Sequence, residues 1–400
     1  MDKPKVVLGV SGGIAAYKAC ELLRRLTESG HDVRVVPTEA SLHFVGAATW
    51  SALSGHPVST EVWNDVHEVP HVRIGQHADL VVVAPATADM LAKAAHGLAD
   101  DLLTNTLLTA RCPVVFAPAM HTEMWEHPAT RENVATLRRR GAVVIEPAVG
   151  RLTGVDTGKG RLPDPAEIFE VCRRVLARGP VAPDLTGRHV VISAGGTREP
   201  LDPVRYLGNR SSGKQGYALA RTAVARGARV TLIEANTGLP DPSGADLVRV
   251  GTAVQLREAV LKAAADADVV VMAAAVADFR PAQYVTGKIK KKDGQEPAPL
   301  TLVRNPDILA EVAADRAAPG QVVVGFAAET DNVLANGREK LLRKGCDLLV
   351  VNEVGERKTF GSEENEAVVL AADGSETPVP YGPKEALADT VWDLVSARLG

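Results

Sequence analysis

The chain has 400 residues, a formal net charge of -4 at pH 7, 46% hydrophobic residues and 24% charged residues. This length exceeds what one hydrophobic core usually organises, so two domains are expected. The composition is typical of a folded globular protein and argues against disorder. Because the net charge gives no overall basic footprint, nucleic acid is not expected as a partner.

The cysteines and the first residues indicate the cellular compartment of the protein. The four cysteines are scattered, with no CxxC pair and no histidine at a zinc-site spacing. We therefore expect reduced thiols and no metal held by the protein alone. The opening MDKPKVVLGVSGG enters a predicted strand at once and has no signal-peptide apolar region, and no apolar run is long enough to cross a membrane. These features predict a cytoplasmic protein without a membrane partner.

The first half of the chain alternates between buried strands and helices. Residues 6–10 are apolar and β-branched, a Ser-Gly-Gly turn follows, and residues 14–26 carry an amphipathic helical pattern. Further strands are predicted at residues 33–36, 80–84, 114–117 and 143–145. This alternation predicts a parallel, doubly wound α/β sheet. The small residues at the start of the first helix suit a phosphate, because the positive end of the helix dipole lies there.

Polar turns follow two of these predicted strands. Residues 80–84 lead into PATADM, and residues 114–117 lead into PAMH. Since α/β sheets bind ligands at their carboxyl edge, both turns are candidates for a binding site. His71, in the segment VPHVRI, is a further candidate because a histidine can exchange a proton near neutral pH. An ordinary surface or core histidine fits the same pattern.

A second α/β unit is predicted after a break in the pattern. The segment RGPVAPDLTG at residues 178–187 interrupts both periodicities, so we place a linker at residues 179–187, between a domain of residues 1–178 and a domain of residues 188–400. Strands are predicted at residues 189–194, 230–234, 268–274, 322–326, 347–351 and 367–370. The fold class expected is therefore α/β, with two doubly wound Rossmann-like domains.

The loop at residues 192–216, ISAGGTREPLDPVRYLGNRSSGKQG, leaves the first strand of the second half through a glycine pair. Such a pair offers backbone N–H groups to a phosphate, and the loop adds arginines, an asparagine and a second turn of small residues. Long loops in compact domains are uncommon unless they are functional, so catalysis is expected here as well as binding. A tandem NAD-linked oxidoreductase would also have two Rossmann-like halves, but neither glycine turn reads GxGxxG with an acidic residue at the usual distance.

Together, these motifs resemble a known family. SGGIAAYK, the His71 segment, ADLVVVAPATADM and PAMHTEMW are similar to flavin-dependent cysteine decarboxylases. AGGTREPLDPVRYLGNRSSGKQG, followed by KIKK, is similar to phosphopantothenate–cysteine ligases. Their order, over nearly the whole chain, resembles the bifunctional phosphopantothenoylcysteine decarboxylase/phosphopantothenate–cysteine ligases of coenzyme A biosynthesis. The resemblance implies a flavodoxin-like decarboxylase domain followed by a Rossmann-like ligase domain.

For the first domain the resemblance implies FMN, which lets the cysteinyl thiol be oxidised to a thioaldehyde so that CO2 can leave, and then returns the electrons. His71 matches the family's essential histidine, as a base or charge partner. Met120 and His121 match the turn that holds the substrate carboxylate, with His121 where the family commonly has asparagine. The residues carried over to FMN are Ser11, Gly12, Gly13, Ile14, Thr38, Pro85, Ala86, Thr87 and Met90.

The flap of the first domain departs from the family pattern. Its relatives usually carry a cysteine there, as the acid that protonates the enethiolate, whereas LTGVDTGKGRL at residues 152–162 has none. Thr153 lies one residue out of step with that cysteine, and a hydroxyl is a much weaker acid than a thiol. Thr153, Asp156, a bound water and His121 are the alternative proton donors. The departure leaves open a flavin-binding regulatory protein with a lapsed site, or a ligase alone, although a binding module would not need the ligase motifs.

For the second domain the resemblance implies that CTP activates the carboxylate of 4'-phosphopantothenate as an acyl-cytidylate, which the amine of cysteine then attacks. Lys288 is carried over to the nucleotide and Asn209 to the acyl intermediate, both as catalytic residues. Arg205, Ala274 and Ala275 are carried over to the substrate, with Arg205 on its phosphate, either within one chain or across a subunit interface. The other CTP candidates are Asp278, Pro306, Asp307, Ile308, Leu309, Phe326, Lys340 and Lys344.

The resemblance also implies a metal ion and an assembly. Mg²⁺ is expected to accompany the triphosphate rather than to occupy a protein cage, since the sequence has no carboxylate cluster at these motifs. The expected assembly is a homo-oligomer in which ligase dimers are joined through decarboxylase trimers, with a dodecamer as one such arrangement.

Overall fold

The computed structural model describes residues 3–58, 60, 70–152, 156–179, 183–290, 299–329, 332–353, 362 and 364–400. The chain divides into two compact units, Met1–Ala182 and Pro183–Gly400. Asp184 and Leu185 fall within the predicted linker, but Leu185 is fully buried in the core of the second unit and Asp184 pairs with Arg226. Both residues are therefore part of the second unit. No helix in the described ranges is long and apolar enough to span a membrane.

The first unit is built on a parallel sheet with helices on both faces. Its elements are β1 (Lys5–Val10), α1 (Ala16–Glu28), β2 (Asp32–Pro37), a 3-10 turn (Glu39–His43), α2 (Ala47–Ser54), α3 (Pro70–His77), β3 (Leu80–Ala86), α4 (Ala88–His96), α5 (Leu102–Thr109), β4 (Val114–Pro118), α6 (Thr122–Glu126), α7 (Pro128–Arg139), β5 (Val143–Val144), β6 (Ala148–Arg151), β7 (Thr157–Arg161) and α8 (Pro165–Arg178). The strand order is β2-β1-β3-β4-β5, which is the flavodoxin-like order. β6 and β7 form a separate antiparallel hairpin.

Two helical layers bury this sheet, which explains why its strands are continuous apolar runs. Successive side chains of a strand point to opposite faces. Leu8 and Val82 accordingly pack with α1 and α8 on one face. Val7 and Val81 pack with α4, α5 and α7 on the other face.

The second unit contains a longer sheet. Its elements are β8 (His189–Gly195), β9 (Arg198–Pro200), β10 (Tyr206–Gly208), α9 (Lys214–Ala225), β11 (Arg229–Ala235), β12 (Ala245–Val250), α10 (Ala253–Ala264), β13 (Val269–Met272), β14 (Phe279–Pro281), β15 (Leu302–Arg304), α11 (Ile308–Ala314), β16 (Val322–Glu329), α12 (Val333–Lys344), β17 (Leu348–Glu353), β18 (Glu364–Ala371), β19 (Glu376–Pro383) and α13 (Lys384–Leu399). The sheet order is β12-β11-β8-β13-β16-β17-β18-β19. Its first six strands are parallel and follow the Rossmann order, and β18 and β19 extend it antiparallel. The predicted fold class, two doubly wound Rossmann-like units, is confirmed.

Helix α13 closes one face of the second sheet by packing on α9. The buried Trp392 ring donates a hydrogen bond from Nε1 to Thr222 Oγ1 at 2.8 Å. Arg226, at the end of α9, is 1% exposed, and its guanidinium lies 2.8 Å from both Asp184 Oδ1 and Asp393 Oδ1 and 3.7 Å from Asp389 Oδ1. Burial alone would lower the pKa of Arg226, but Asp184 and Asp393 raise it above its ordinary value. The guanidinium therefore stays charged inside the protein and ties α9 to α13.

Candidate functional sites

Three loops of the first unit meet at the carboxyl edge of its sheet, beside β1 and β3. Ser11 Oγ donates to the carbonyl of Pro85 at 2.7 Å and accepts from the Thr87 N–H at 2.9 Å. The Ala119 N–H donates to the carbonyl of Ala86 at 3.1 Å, which joins the end of β4 to the end of β3. β1 and β3 are parallel neighbours, and the order in which the chain adds strands to the sheet reverses between them. α/β sheets bind ligands at such a switch point. The Ser11 hydroxyl therefore positions the loops around this point.

The start of α1 at this edge is suited to an anion. No side chain caps its N-terminus and its first turn has no acidic residue, so its positive dipole end is not neutralised locally. Gly12 and Gly13 are half-buried here and Ile14 is 63% exposed. These three residues are the members of the predicted FMN set that a ligand can contact most readily.

Other members of the predicted FMN set serve the fold. Thr87 caps α4 by accepting a hydrogen bond from the Met90 N–H at 3.3 Å, and Met90 itself is 2% exposed within the core. Thr38 is buried and caps the 3-10 turn through the Ser41 N–H at 3.3 Å. Ala86 is fully buried. These side chains shape the edge of the sheet, and their predicted contact with FMN stays a prediction.

The β6–β7 hairpin lies against the PAMH turn. The Met120 N–H donates to the carbonyl of Gly160 at 3.0 Å. Gly160 has a φ of +153°, and a Cβ at this position would lie 2.2 Å from the Met120 carbonyl oxygen. Only glycine allows this approach. His121 follows directly, with an exposed side chain that does not cap α6.

Glu146 anchors the same hairpin to α7. Its carboxylate lies 2.8 Å from Arg138 Nη2 and 2.7 Å from Lys159 Nζ. Burial alone would raise the pKa of Glu146, but Arg138 and Lys159 hold it below its ordinary value. The stabilisation from this carboxylate is therefore fully present above the ordinary carboxyl pKa and is lost as the pH falls through the lowered one.

The remaining predicted residues of the first site are only partly described. His71 lies in the first turn of α3, but its side chain is outside the described residues. Thr153 is also outside them. Asp156 is exposed near the hairpin turn, where its carbonyl accepts a hydrogen bond from the Leu152 N–H at 2.8 Å. The choice among the predicted proton donors stays open.

A cavity of about 760 Å³ runs along the carboxyl edge of the second sheet. It is lined by the loop before α9, by the ends of β13, β16 and β17, and by the start of α11. Gly195, where β8 ends, has a φ of +87°, and a Cβ there would lie 2.1 Å from the Ala235 carbonyl oxygen. Its own carbonyl accepts the Ala275 N–H at 2.8 Å, so the glycine pair fixes the β8 loop to the end of β13.

The structure brings three of the predicted substrate residues together in this cavity. Asn209 Nδ2 donates to the Val276 carbonyl at 3.0 Å. The Ala274 N–H donates to Ser193 Oγ at 3.1 Å, and Ala274 and Ala275 both line the cavity. The Asn209 amide is thus held beside the small residues at the end of β13.

The cavity as a whole is basic. All the predicted CTP residues except Lys288 line it, Lys340 and Lys344 among them, and the complete lining contains six basic residues against two acidic ones. Asp307 caps α11 and pairs with Lys344, while Lys340 lies 3.6 Å from Glu329. Burial alone would raise the pKa of Asp307, but Lys344 holds it below its ordinary value. The excess of positive charge favours a polyanionic ligand.

Lys288 and Arg205 are not among the lining residues of this cavity. Lys288 is exposed, and Arg205 is 46% exposed at its side chain. Arg205 Nη2 donates to the Ile289 carbonyl at 3.2 Å, and the Ile289 N–H donates to Asp202 Oδ2 at 3.1 Å. Residues 288–290 and Arg205 are therefore held together on a surface outside their own chain's cavity. The carry-over of Lys288 to the nucleotide and of Arg205 to the substrate phosphate stays a prediction.

The sequence analysis missed four polar residues that line the cavity: Gln215, Asn352, Asn365 and Lys384. They come from α9, β17, β18 and α13. Antiparallel pairing of β18 with β17 and packing of α13 on α9 bring them to one place. Gln215 stands in the loop motif of residues 192–216, but no local motif contains Asn352, Asn365 or Lys384, so only the tertiary structure reveals the group.

Comparison with known proteins identifies the family. Residues 1–177 match the family model described as Flavoprotein, and residues 185–399 match the DNA/pantothenate metabolism flavoprotein C-terminal domain. The coenzyme A biosynthesis bifunctional protein CoaBC of Mycolicibacterium smegmatis is 60% identical over 408 residues, covering 99% of this chain and 98% of that protein. This chain belongs to the CoaBC family. The CoaBC protein of Bacillus subtilis is 43% identical over 401 residues, covering 99% of this chain and 98% of that protein. The family resemblance seen in the motifs is confirmed.

Solved structures similar to this CoaBC-family chain each cover one part of it. The C-terminal domain of a coenzyme A biosynthesis bifunctional protein CoaBC is 33% identical with a TM-score of 0.45, covering 54% of this chain and 97% of that chain. A mutant PPC decarboxylase complexed with pantothenoylaminoethenethiol is 34% identical with a TM-score of 0.41, covering 44% of this chain and all of that one.

Proposed function

We propose that this chain catalyses two consecutive steps of coenzyme A biosynthesis. The second unit joins 4'-phosphopantothenate to cysteine with CTP, and the first unit converts the product to 4'-phosphopantetheine in an FMN-dependent decarboxylation. The observation that carries this proposal is the cavity of the second unit, in which the Asn209 loop and all the predicted CTP residues except Lys288 share one space. Both reactions are proposed to take place in the cytoplasm. They are proposed to be catalysed by a homo-oligomer of the kind that the family resemblance implies.

The ligation uses the cavity in two stages. The substrate carboxylate attacks the α-phosphorus of CTP, so that pyrophosphate leaves and an acyl-cytidylate forms. The amine of cysteine then attacks the acyl carbon, and CMP leaves. Lys340 and Lys344 offset the phosphate charge, and the Asn209 amide can donate to the acyl oxygen as negative charge develops on it. Within the described residues no cluster of three His, Cys, Asp or Glu side chains could hold a metal, so Mg²⁺ is proposed to bind through the triphosphate.

Lys288 and Arg205 are proposed to act on the cavity of a second copy of the chain. Both are exposed and lie outside their own cavity, and the hydrogen bond from Arg205 to the Ile289 carbonyl holds them on the same surface. A dimer would supply Lys288 to the triphosphate and Arg205 to the phosphate of 4'-phosphopantothenate. This arrangement makes the ligase site incomplete in a single chain.

The carboxyl edge of the first sheet fits FMN. The uncapped start of α1 can hold its phosphate, Gly13 leaves room beside it, and Ser11 fixes the neighbouring Pro85 turn. Bound flavin would supply reversible oxidation of the substrate thiol. Met120 and His121 are proposed to hold the substrate carboxylate, and His71 to take or balance a proton at the thiol. The β6–β7 hairpin, held on the Met120 turn, is proposed to exclude water from this site.

Replacing Gly160 with alanine is expected to lower decarboxylation by about 100-fold, because displacing groups at a site by about 1 Å has effects of this size. The new methyl group would meet the Met120 carbonyl oxygen, so the hairpin must move away from the PAMH turn. Ligation by the same protein is expected to be unchanged. Gly46→Ala is the control, because Gly46 has a φ of -68° and nothing within 4 Å of an added Cβ. Equal loss of decarboxylation in both variants would show that the hairpin contact has no special role.

The proposed function is tested by mass spectrometry of products after incubation with 4'-phosphopantothenate, cysteine, CTP and Mg²⁺, with ATP in place of CTP as the control. Formation of 4'-phosphopantetheine and CMP is expected. Accumulation of 4'-phosphopantothenoylcysteine would leave a ligase with a lapsed flavin site. Absence of CMP would overturn the ligase assignment.

A further inference from the structure

One wall of the second unit's cavity is formed by polar residues to which the sites described above give no role. Gln215, Asn365 and Lys384, here called the amide–lysine wall, come from three different elements. Asn365 Nδ2 donates to Gln215 Oε1 at 2.9 Å, and Gln215 Nε2 donates to the Lys384 carbonyl at 3.2 Å. These hydrogen bonds tie α9, β18 and α13 together at the cavity. Gln215 is also on the chain segment that carries Asn209, which places the wall in the same cavity as the acyl site.

Asn365 presents an unused acceptor in this wall. The residue is 5% exposed and lines the cavity, and within the described part of the chain its buried Oδ1 has no hydrogen-bond partner. A buried acceptor without a partner costs about 1–3 kcal/mol. Since the amide nitrogen already donates to Gln215, the buried oxygen is the atom of this amide that still lacks a partner. A ligand that carries an N–H group would satisfy it.

Lys384 brings positive charge to the same wall. It is 5% exposed, its Nζ donates to the Glu364 carbonyl at 3.3 Å, and it is the first residue of α13. Neither α13 nor α9 has a side-chain cap at its N-terminus, so two positive helix ends adjoin the wall. The acidic residue next in sequence, Glu385, pairs with Arg221 at 2.6 Å. The wall therefore combines an acceptor for an amine with a cation for a carboxylate.

We propose that the amide–lysine wall is the subsite for the amino-acid co-substrate of the ligation. Lys384 holds the α-carboxylate of cysteine, and Asn365 Oδ1 accepts a hydrogen bond from its amine. The inference rests on the proposed ligase function, in which the amine must share a cavity with the acyl group. There the C–N bond forms, the bond from the acyl carbon to the oxygen of CMP breaks, and the amine loses one proton to water. By orienting the amine, Asn365 would direct its lone pair to the acyl carbon.

The test uses Lys384→Met in the full chain, with two readouts. The first is pyrophosphate release from CTP with 4'-phosphopantothenate and no cysteine, which is expected to remain within twofold of the wild type. The second is ligation of cysteine compared with 2-aminoethanethiol, which lacks the carboxylate. The KM for cysteine is expected to rise by about 10- to 100-fold, the range for loss of a hydrogen bond to a charged group. Ligation of 2-aminoethanethiol is expected to be unchanged, so the preference for cysteine disappears. Lys262→Met, an exposed change on α10 outside the cavity, is the matched control.

Asn365→Leu separates the two halves of the subsite. Both nucleophiles carry an amine, so this variant is expected to impair cysteine and 2-aminoethanethiol alike while pyrophosphate release continues. Normal pyrophosphate release with an unchanged KM for cysteine in Lys384→Met would overturn the subsite and leave the ligase intact. Loss of pyrophosphate release in Lys384→Met would assign the lysine to the nucleotide or to the fold, which also overturns the subsite. A wild type that never cleaves CTP would overturn the ligase function and the subsite together.

Discussion

Replacing Asn209 with alanine is expected to lower the ligation rate by about 100- to 1,000-fold, the usual cost of removing one donor from a developing oxyanion. The hydrogen bond from Asn209 Nδ2 to the Val276 carbonyl holds the amide beside Ala274 and Ala275, where the acyl group is proposed to lie. Decarboxylation of supplied 4'-phosphopantothenoylcysteine is expected to be unchanged. CMP formation and CO2 release measure the two activities separately. Gln283→Ala, which changes an exposed amide outside the cavity, is the control.

Mixing two inactive variants extends this experiment to the assembly. Asn209→Ala chains and Lys288→Gln chains are each expected to lack ligation. When the two are co-expressed, ligation is expected to return, because one cavity of a mixed dimer receives both an intact Asn209 and the partner copy's intact lysine. If purified mixed dimers stay inactive, Lys288 acts within its own chain, and the KIKK segment must move to reach the nucleotide.

Replacing Arg226 with methionine is expected to lower the free energy of unfolding of the second unit by about 3–5 kcal/mol, the usual cost of removing one member of a buried ion-pair network. Arg226 and Asp389 are both 1% exposed, so the change removes a buried cation 3.7 Å from a buried carboxylate. Urea unfolding of the full chain, followed by hydrogen exchange in peptides from residues 183–400, measures the loss. The first unit is expected to unfold at its normal urea concentration.

A surface ion pair provides the control for this result. Arg338 is 55% exposed where it pairs with Glu376. Arg338→Met is expected to have little effect, because exposed ion pairs contribute little to stability. Adding Asp389→Leu to Arg226→Met should recover part of the lost stability by removing the buried charge. If the double variant is less stable than the single one, the destabilisation has a cause other than the buried charge of Asp389.

The sequence predicts the fold well where strands are buried on both faces. Apolar runs such as residues 80–84 and 322–326 are visible without a structure because two helical layers cover them. The prediction for the end of β13 is less accurate, because the predicted strand runs through residue 274 whereas β13 ends at Met272. The alanines that follow it extend the apolar run, although they line the cavity. Short elements such as β9 and β15 were not predicted, because three residues are too few to show an alternation of apolar and polar side chains.

The candidate sites were predicted to the extent that they depend on local motifs. The SGG turn, the PAMH turn and the Asn209 loop each follow a strand, and parallel strands bring their ends to one edge. Sequence could not place Lys288 and Arg205 relative to the cavity, since their position depends on how residues 202–205 fold against the KIKK segment. It also could not reveal Asn365 or Lys384, which reach the cavity only through an antiparallel extension of the sheet and the packing of α13.

The position of α13 has a consequence for how the protein is made. Domains generally fold in the order in which they are synthesised, and the first unit contains all its elements within its own stretch of chain. In the second unit, α13 covers β16, β18 and β19 but follows every one of them in the sequence. Apolar side chains on that face, including Val324 and Val369, therefore have no cover until α13 has been translated. The nascent second unit is the part of the chain that we expect chaperones to bind, and the flavin unit the part that can bind its cofactor while synthesis continues.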